Sequence, residues 1–247
     1  MNQTSDTREV SSPRLPKALL LDSGGVLIRP IGGRWNPRAD FEPTVRAHAP
    51  HVTDGQLAEA VAEGDRFLAA ATSTPDRDDY HRAMLARIGV PATPELLSAL
   101  VREVPPASVL EAFPDAIPAL SALRARGVPM AVVSDAWPDL TDLHLALGLH
   151  GFFDAYAISA VLGCTKPDPR MYRHASQALG LEPGECLFVD DDPESVAAAI
   201  ALGYQGRAMV REPGAGGASG ASRAVGDGTA IGSVATISSL TELLDLV

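Results

Sequence analysis

Asp22, Ser134, Lys166 and the run Asp190-Asp191-Asp192 are the residues of this chain whose types could together perform polar chemistry. A carboxylate can act as a nucleophile and form a covalent intermediate, splitting one difficult step into two. A second carboxylate beside it can help hold a hard divalent cation, which takes oxygen ligands. A lysine supplies a fixed positive charge and a serine a hydrogen bond, both useful where negative charge develops. Taken singly, each has a plainer reading. Asp22-Ser23-Gly24-Gly25 is turn-forming, Asp192 suits a helix N-cap, Ser134 suits another, and Lys166 suits a surface. Together they point to a site.

The elements around these residues are those that would bring them to one rim. Lys17–Asp22 is a short apolar run ending in an acid and glycines, which reads as a buried parallel strand followed by a tight turn. Val128–Val133 is a second apolar strand and leads into Ser134-Asp135. Ala155–Ile158 is a third, and Cys186–Val189 a fourth that leads into Asp190-Asp191. Helical spacing follows Pro114, with a stop at Gly127, and recurs in Pro169–Leu179 and after Pro193, closing at Gly203. Val234–Ile237 and Leu240–Leu246 read as a last strand and helix. Strands alternating with helices give a parallel sheet with right-handed crossovers, and ligands bind such sheets at the carboxyl ends of the strands. The fold expected is therefore α/β, a Rossmann-like three-layer core. Residues 17–30 and 113–247 form that core, residues 1–16 a flexible leader, and residues 212–228, rich in Gly, Ala and Ser, a flexible loop within it. Residues 31–112 are Ala-rich with helical spacing and no good strand, and read as an inserted helical cap domain.

At these residues the chain resembles the haloacid dehalogenase superfamily. LLLDSGGVL resembles its first motif, hhhDxDG followed by Thr or Val and Leu. AVVSD resembles the second, and the stretch from GCTKPDP to FVDDDPESVAAAIALG resembles the third and fourth together. One motif alone is weak; four in the right order are strong. The position of the helical insert matches the cap of the subgroup that contains dehalogenases, phosphoglycolate phosphatases and phosphoglucomutases. The resemblance implies a hydrolase with Asp22 as nucleophile, with Ser134 and Lys166 as the other catalytic residues, and with Mg2+ as cofactor. By alignment Asp22, the backbone carbonyl of Gly24 and Asp191 would hold the ion, with Asp190 or Asp192 in support. Ser134, Asp135 and Lys166 would contact the substrate, a small phosphorylated metabolite. For Arg34 and Arg38 a solvated loop is the plainer reading; the alternative is that Gly32-Gly33 acts as a hinge that turns Arg34, Trp35 and Arg38 toward an anionic substrate when the cap closes.

The chain departs from the phosphatase pattern at Gly24, where a second Asp would protonate the leaving group, and at Asp135, where an Asn is usual. Three readings remain open, in this order. The first is a phosphatase whose leaving group needs little protonation, or whose cap supplies the acid. The second is a dehalogenase acting on 2-haloacids without metal, against which the Asp190-Asp191 pair argues. The third is a non-catalytic ligand-binding relative.

Bulk properties narrow the partners. A formal net charge of −11 disfavours nucleic acid and anionic membranes, both of which need a basic footprint. Two cysteines, Cys164 and Cys186, are too few for a disulfide framework and read as reduced thiols. A polar start and the lack of a membrane-length apolar run lead to the expectation of a cytoplasmic protein. Oligomeric state and the identity of the substrate are not written in any motif here.

Overall fold

The structure is a computed structural model, and it describes residues 15–211 and 234–247. The expected leader at 1–16 falls almost wholly outside these residues, and the expected loop at 212–228 falls outside entirely. Six strands form a parallel sheet: β1 (Ala18–Leu21), β4 (Met130–Ser134), β5 (Ala155–Ile158), β6 (Cys186–Asp190), β7 (Gln205–Met209) and β8 (Thr236–Ile237). Their order is β5-β4-β1-β6-β7-β8. The chain builds outward from β1 to β5 on one side, then returns to lay β6 on the other. β1 thus lies at the point where strand order reverses, the usual ligand crevice of such sheets.

β1 shows why the sheet is covered on both faces. Leu19 and Leu21 pack with Leu120 and Leu123 of helix α5 (Ala116–Ala125) and with Leu240 and Leu243 of the closing 3-10 helix Leu240–Asp245. Ala18 and Leu20 point the other way, to Met171, Tyr172 and Ala175 of α8 (Pro169–Ala178) and Val196 and Ala199 of α9 (Pro193–Ala201). Period-2 alternation with apolar residues on both sides is the signature of a central parallel strand. This is the expected α/β three-layer architecture. Two short helices, α6 (Leu140–Ala146) and α7 (Ser159–Leu162), complete the connections beyond β4 and β5. Cys164 and Cys186 are buried and unpaired. No helix among the described residues is long and apolar enough to cross a membrane.

Between β1 and β4 the chain leaves the core through β2 (Ile28–Pro30) and returns through β3 (Leu110–Ala112), which pair antiparallel as a two-stranded stalk. Four helices stand on it: α1 (Phe41–His48), α2 (Asp54–Ala70), α3 (Arg77–Arg87) and α4 (Pro94–Val101). They surround a hydrophobic cluster of their own, including Val45, Leu57, Tyr80, Met84, Leu85 and Leu97. Local chemistry starts them cleanly. Thr53 caps α2 in a capping box with Gln56, Asp76 caps α3, and Thr93 with Pro94 opens α4. Gly64 lets α2 and α3 approach closely, because a Cβ there would stand 2.9 Å from Tyr80 and 3.0 Å from Met84.

Two buried histidines make the fold sensitive to acid. Burial lowers His81 and His144 to about 4, from an ordinary value of 6.5. The unfolded chain therefore takes up protons first, and stability is full above pH 6.5 and lost as pH falls toward 4. By linkage each histidine should remove about 2 kcal/mol between pH 7 and pH 5. Denaturant midpoints at the two pH values test this. His81→Phe, which preserves the stacking of this ring against Phe41, should flatten the dependence, and an unchanged slope in that variant would contradict the assignment.

Candidate active site

Asp22 follows β1 directly, Ser134 ends β4 and Asp190 ends β6, so three adjacent strands deliver three polar side chains to one rim. Parallel pairing fixes the alignment: Leu21 lies opposite Val132 on one side and Val189 on the other. Asp22, Ser134 and Asp190 are buried. Lys166 reaches the same place from the loop before α8. Its Nζ lies 2.9 Å from Asp22 Oδ1 and 2.6 Å from Asp190 Oδ2, with only 6% of its side chain exposed. Burial alone would lower the lysine pKa. The facing Asp190, Asp22 and Asp135 carboxylates outweigh that and hold it well above the usual range, so the ammonium stays charged. Asp135 fixes the loop as well, its Oδ1 accepting the Lys166 backbone N–H at 3.0 Å.

One lysine does not balance this cluster. Asp22, Asp190 and Asp191 each bring a ligand oxygen within 4.8 Å of the others. Asp22 Oδ1 is buried and receives no aligned hydrogen bond, even beside the lysine. Burial, and next the Asp22 charge, push Asp191 up to about 6. Crowded carboxylates that resist ionisation together, one of them with an orphaned oxygen, fit a divalent cation. The roles within the acid run divide by geometry. Asp190 accepts Lys166 and the Asp192 backbone N–H at 2.8 Å. Asp192 caps α9, accepting from the Glu194 and Ser195 backbones and from the Ser195 hydroxyl. Asp191 is left to face Asp22.

Three further residues shape the site. Gly25 has φ +72°, and a Cβ there would meet Asp191 Oδ2 at 2.1 Å, so only glycine lets the Asp191 carboxylate lie over the turn. Ser23 Oγ lies 2.7 Å from His144 Nε2, whose Nδ1 lies 3.1 Å from the Tyr156 hydroxyl. This buried chain pins the residue next to Asp22. No motif in the sequence marks His144. Its contact with Ser23 spans 121 residues and has no local signal. Trp35 lies over Gly24, its ring 3.2 Å from where a Cβ would be.

The two arginines expected at the substrate have partners in the insert. Arg34 makes a two-pronged pair with Asp65 of α2, at 2.6 and 2.8 Å. Arg38 pairs with Asp40 and donates to the carbonyls of Leu100 and Arg102 at the end of α4. Both guanidiniums brace the insert rather than join the carboxylate cluster. Across the rim the insert touches the core again. Arg77 pairs with Asp139 at 2.8 Å and lies 4.8 Å above the Trp137 ring, while Trp137 Nε1 donates to the Pro75 carbonyl.

Comparison with known proteins gives the chain relatives and a family. A stretch of 111 residues is 33% identical to a glyceraldehyde 3-phosphate phosphatase of Methanopyrus kandleri, covering 44% of this chain and 48% of that protein. The match therefore spans about half the length of that relative. A sesquiterpene phosphatase of Aspergillus oryzae is 26% identical over 77% of this chain and 88% of its own. Among solved structures, a phosphatase from Thermococcus onnurineus superposes with a TM-score of 0.57 at 22% identity, over 93% of this chain and 96% of that one. An L-2-haloacid dehalogenase from Xanthobacter autotrophicus does so with a TM-score of 0.58 at 20% identity, over 94% and 98%. At such identities these two show the fold alone. The sequence model of the haloacid dehalogenase-like hydrolases matches residues 16–203, and the chain belongs to that family of hydrolases.

Proposed function

We propose that this hydrolase is a magnesium-dependent phosphatase that transfers the phosphoryl group of a small phosphorylated metabolite to Asp22 and then to water. The observation that carries the reading is the trio Asp22, Asp190 and Asp191, within 4.8 Å of one another around a single lysine. The dehalogenase reading has the same fold behind it but no use for a second and third carboxylate. Phosphatases among the relatives, named for glyceraldehyde 3-phosphate and for sesquiterpene substrates, add weight to the first reading.

Asp22, Asp191 and the carbonyl of Gly24 would hold the ion. When bound, Mg2+ neutralises the carboxylates and draws charge from the phosphoryl oxygens. Lys166 holds Asp22 in place and faces the same oxygens with a charge that Asp190 keeps fixed. Asp22 attacks phosphorus, the ester P–O bond breaks, and water later attacks the aspartyl-phosphate to return the free carboxylate. Ser134 would hydrogen-bond the transferred group, and Asp135 orders the lysine loop beside it. The four-helix insert serves as the cap that excludes water from this step.

A metal assay tests the reading. A chelator should silence the enzyme and Mg2+ should restore it. Asp191→Asn should raise the Mg2+ concentration needed for half-maximal activity by about 10- to 100-fold, the scale of losing one well-placed charged partner. Activity on 2-haloacids that is indifferent to chelator would transfer the assignment to the dehalogenase reading.

A further inference from the structure

Gly24 and Trp35 are complementary in a way that bears on the leaving group. With a Cβ at residue 24, Trp35 Cζ2 would lie at 3.2 Å, Cη2 at 3.5 Å and Cε2 at 3.6 Å. A side chain there would crowd the indole, which would have to give by a few tenths of an ångström. Trp35 itself is half-buried, packed against the core cluster that holds Leu21, Val26 and Leu27 on either side of the Asp22 turn. Its Nε1 is bonded to Cε2, one of the atoms facing Gly24, and it is buried with no hydrogen-bond partner. A buried donor without a partner is costly and uncommon, and in a native protein it asks for an explanation.

We propose that Trp35 takes the space an acid at residue 24 would fill, and that its indole N–H donates a hydrogen bond to the leaving-group oxygen of the phosphate ester. Indole is a donor only and does not give up its proton. As the Asp22–phosphorus bond forms and the ester P–O bond breaks, the electron pair leaves on that oxygen. The N–H stabilises the resulting anion, which afterwards takes a proton from water. The substrate class follows. Esters whose leaving oxygen is stable as an anion should be turned over: aryl, enol, acyl and anomeric phosphates. Primary alkyl phosphates should be slow, because an alkoxide leaves poorly without a proton. The inference rests on the phosphatase reading above and assigns its specificity to one pair of residues.

The test compares wild type and Trp35→Phe, with Mg2+, on a series of aryl phosphates of graded leaving-group acidity and on one primary alkyl phosphate. Wild type should favour 4-nitrophenyl phosphate over the alkyl ester by more than about 100-fold, the lower end of what proton donation contributes. Trp35→Phe keeps the ring and loses the N–H. Its kcat should fall about 10- to 100-fold, more steeply as the leaving group becomes more basic, with unchanged Mg2+ affinity and melting temperature. A leaving-group dependence identical to wild type would overturn the inference while leaving the phosphatase reading intact. Failure of wild type to hydrolyse any of these esters with Mg2+ would overturn the phosphatase reading itself. A second pair of variants tests the shared space. Gly24→Asp alone should be inactive on both classes, and Gly24→Asp with Trp35→Ala should gain on the alkyl ester relative to 4-nitrophenyl phosphate. Alkyl activity gained in the single variant, or none gained in the double, would show that the indole does not stand in for the acid.

Discussion

Asp22→Asn should abolish turnover, with kcat falling on the order of 10⁴- to 10⁶-fold, the loss expected when an attacking group is removed from a unit that acts together. The fold should not suffer. Asp22 shares Lys166 with Asp190 and faces Asp191, so three carboxylates crowd one ammonium. Removing one charge from an overcharged cluster relieves repulsion, and an amide has nearly the shape of a carboxylate. The melting temperature should therefore stay or rise while activity disappears. Active sites often hold such strain, which stability measurements alone would misread as a flaw. Added Mg2+ separates this variant from Asp191→Asn. A lost ligand is compensated in part by a higher ion concentration, whereas a lost nucleophile is not. Turnover by Asp22→Asn near the wild-type rate would remove the residue from its role.

How far the sequence discloses this site depends on the range of the interactions. Asp22, Ser134 and Asp190 were legible because each terminates an apolar run whose only sensible placement is inside a parallel sheet. The strand at β7 was not legible. Its sequence, Gln205-Gly-Arg-Ala-Met209, lacks a continuous apolar stretch, and Gly206 lacks a side chain because Val196 and Ile200 of α9 lie 2.7 and 2.8 Å from where its Cβ would be. The stalk strands β2 and β3 are three residues each, too short for any period to show. At the site, Gly25 read as a turn residue, while its reason, the Asp191 carboxylate above it, lies 166 positions away in the chain. For Arg34 and Arg38 the residues alone do not separate a solvated loop from a substrate contact. Asp65 and Asp40 answer both charges inside the insert. Pairing across long separations is what a single sequence hides, and the acidic cluster shows the converse: three carboxylates near one lysine were predictable, but only the register of β1 against β6 settles which acid meets which partner.

Lys166 carries the second large effect, and it splits into two parts that can be measured separately. The ammonium is nearly fully buried between Asp22 and Asp190, at 2.9 and 2.6 Å. Replacing it with Met conserves volume and leaves two buried carboxylates with no countercharge. Breaking a buried pair from one side costs about 3–5 kcal/mol, because the remaining charge is left uncompensated. Lys166→Met should accordingly be markedly destabilised at pH 7. The loss should shrink at lower pH, where Asp190, whose carboxyl burial pushes well above the usual range, takes up a proton. Mg2+ should also restore part of it, by binding the folded state alone. Activity should fall for a different reason, since the positive charge beside the transferred oxygens is gone; removal of one fixed stabilising group of this kind costs about 10²–10³-fold in kcat. The double variant Lys166→Met with Asp190→Asn distinguishes the two. It neutralises the acid that the lysine held, so most of the stability should return, while kcat stays at the level of the single variant. If kcat recovers together with stability, Lys166 acts only by holding Asp190, and the phosphoryl oxygens are stabilised by something else. If neither recovers, the lysine's main structural partner is Asp22, and the ammonium's place in the site is to hold the nucleophile still until the substrate arrives.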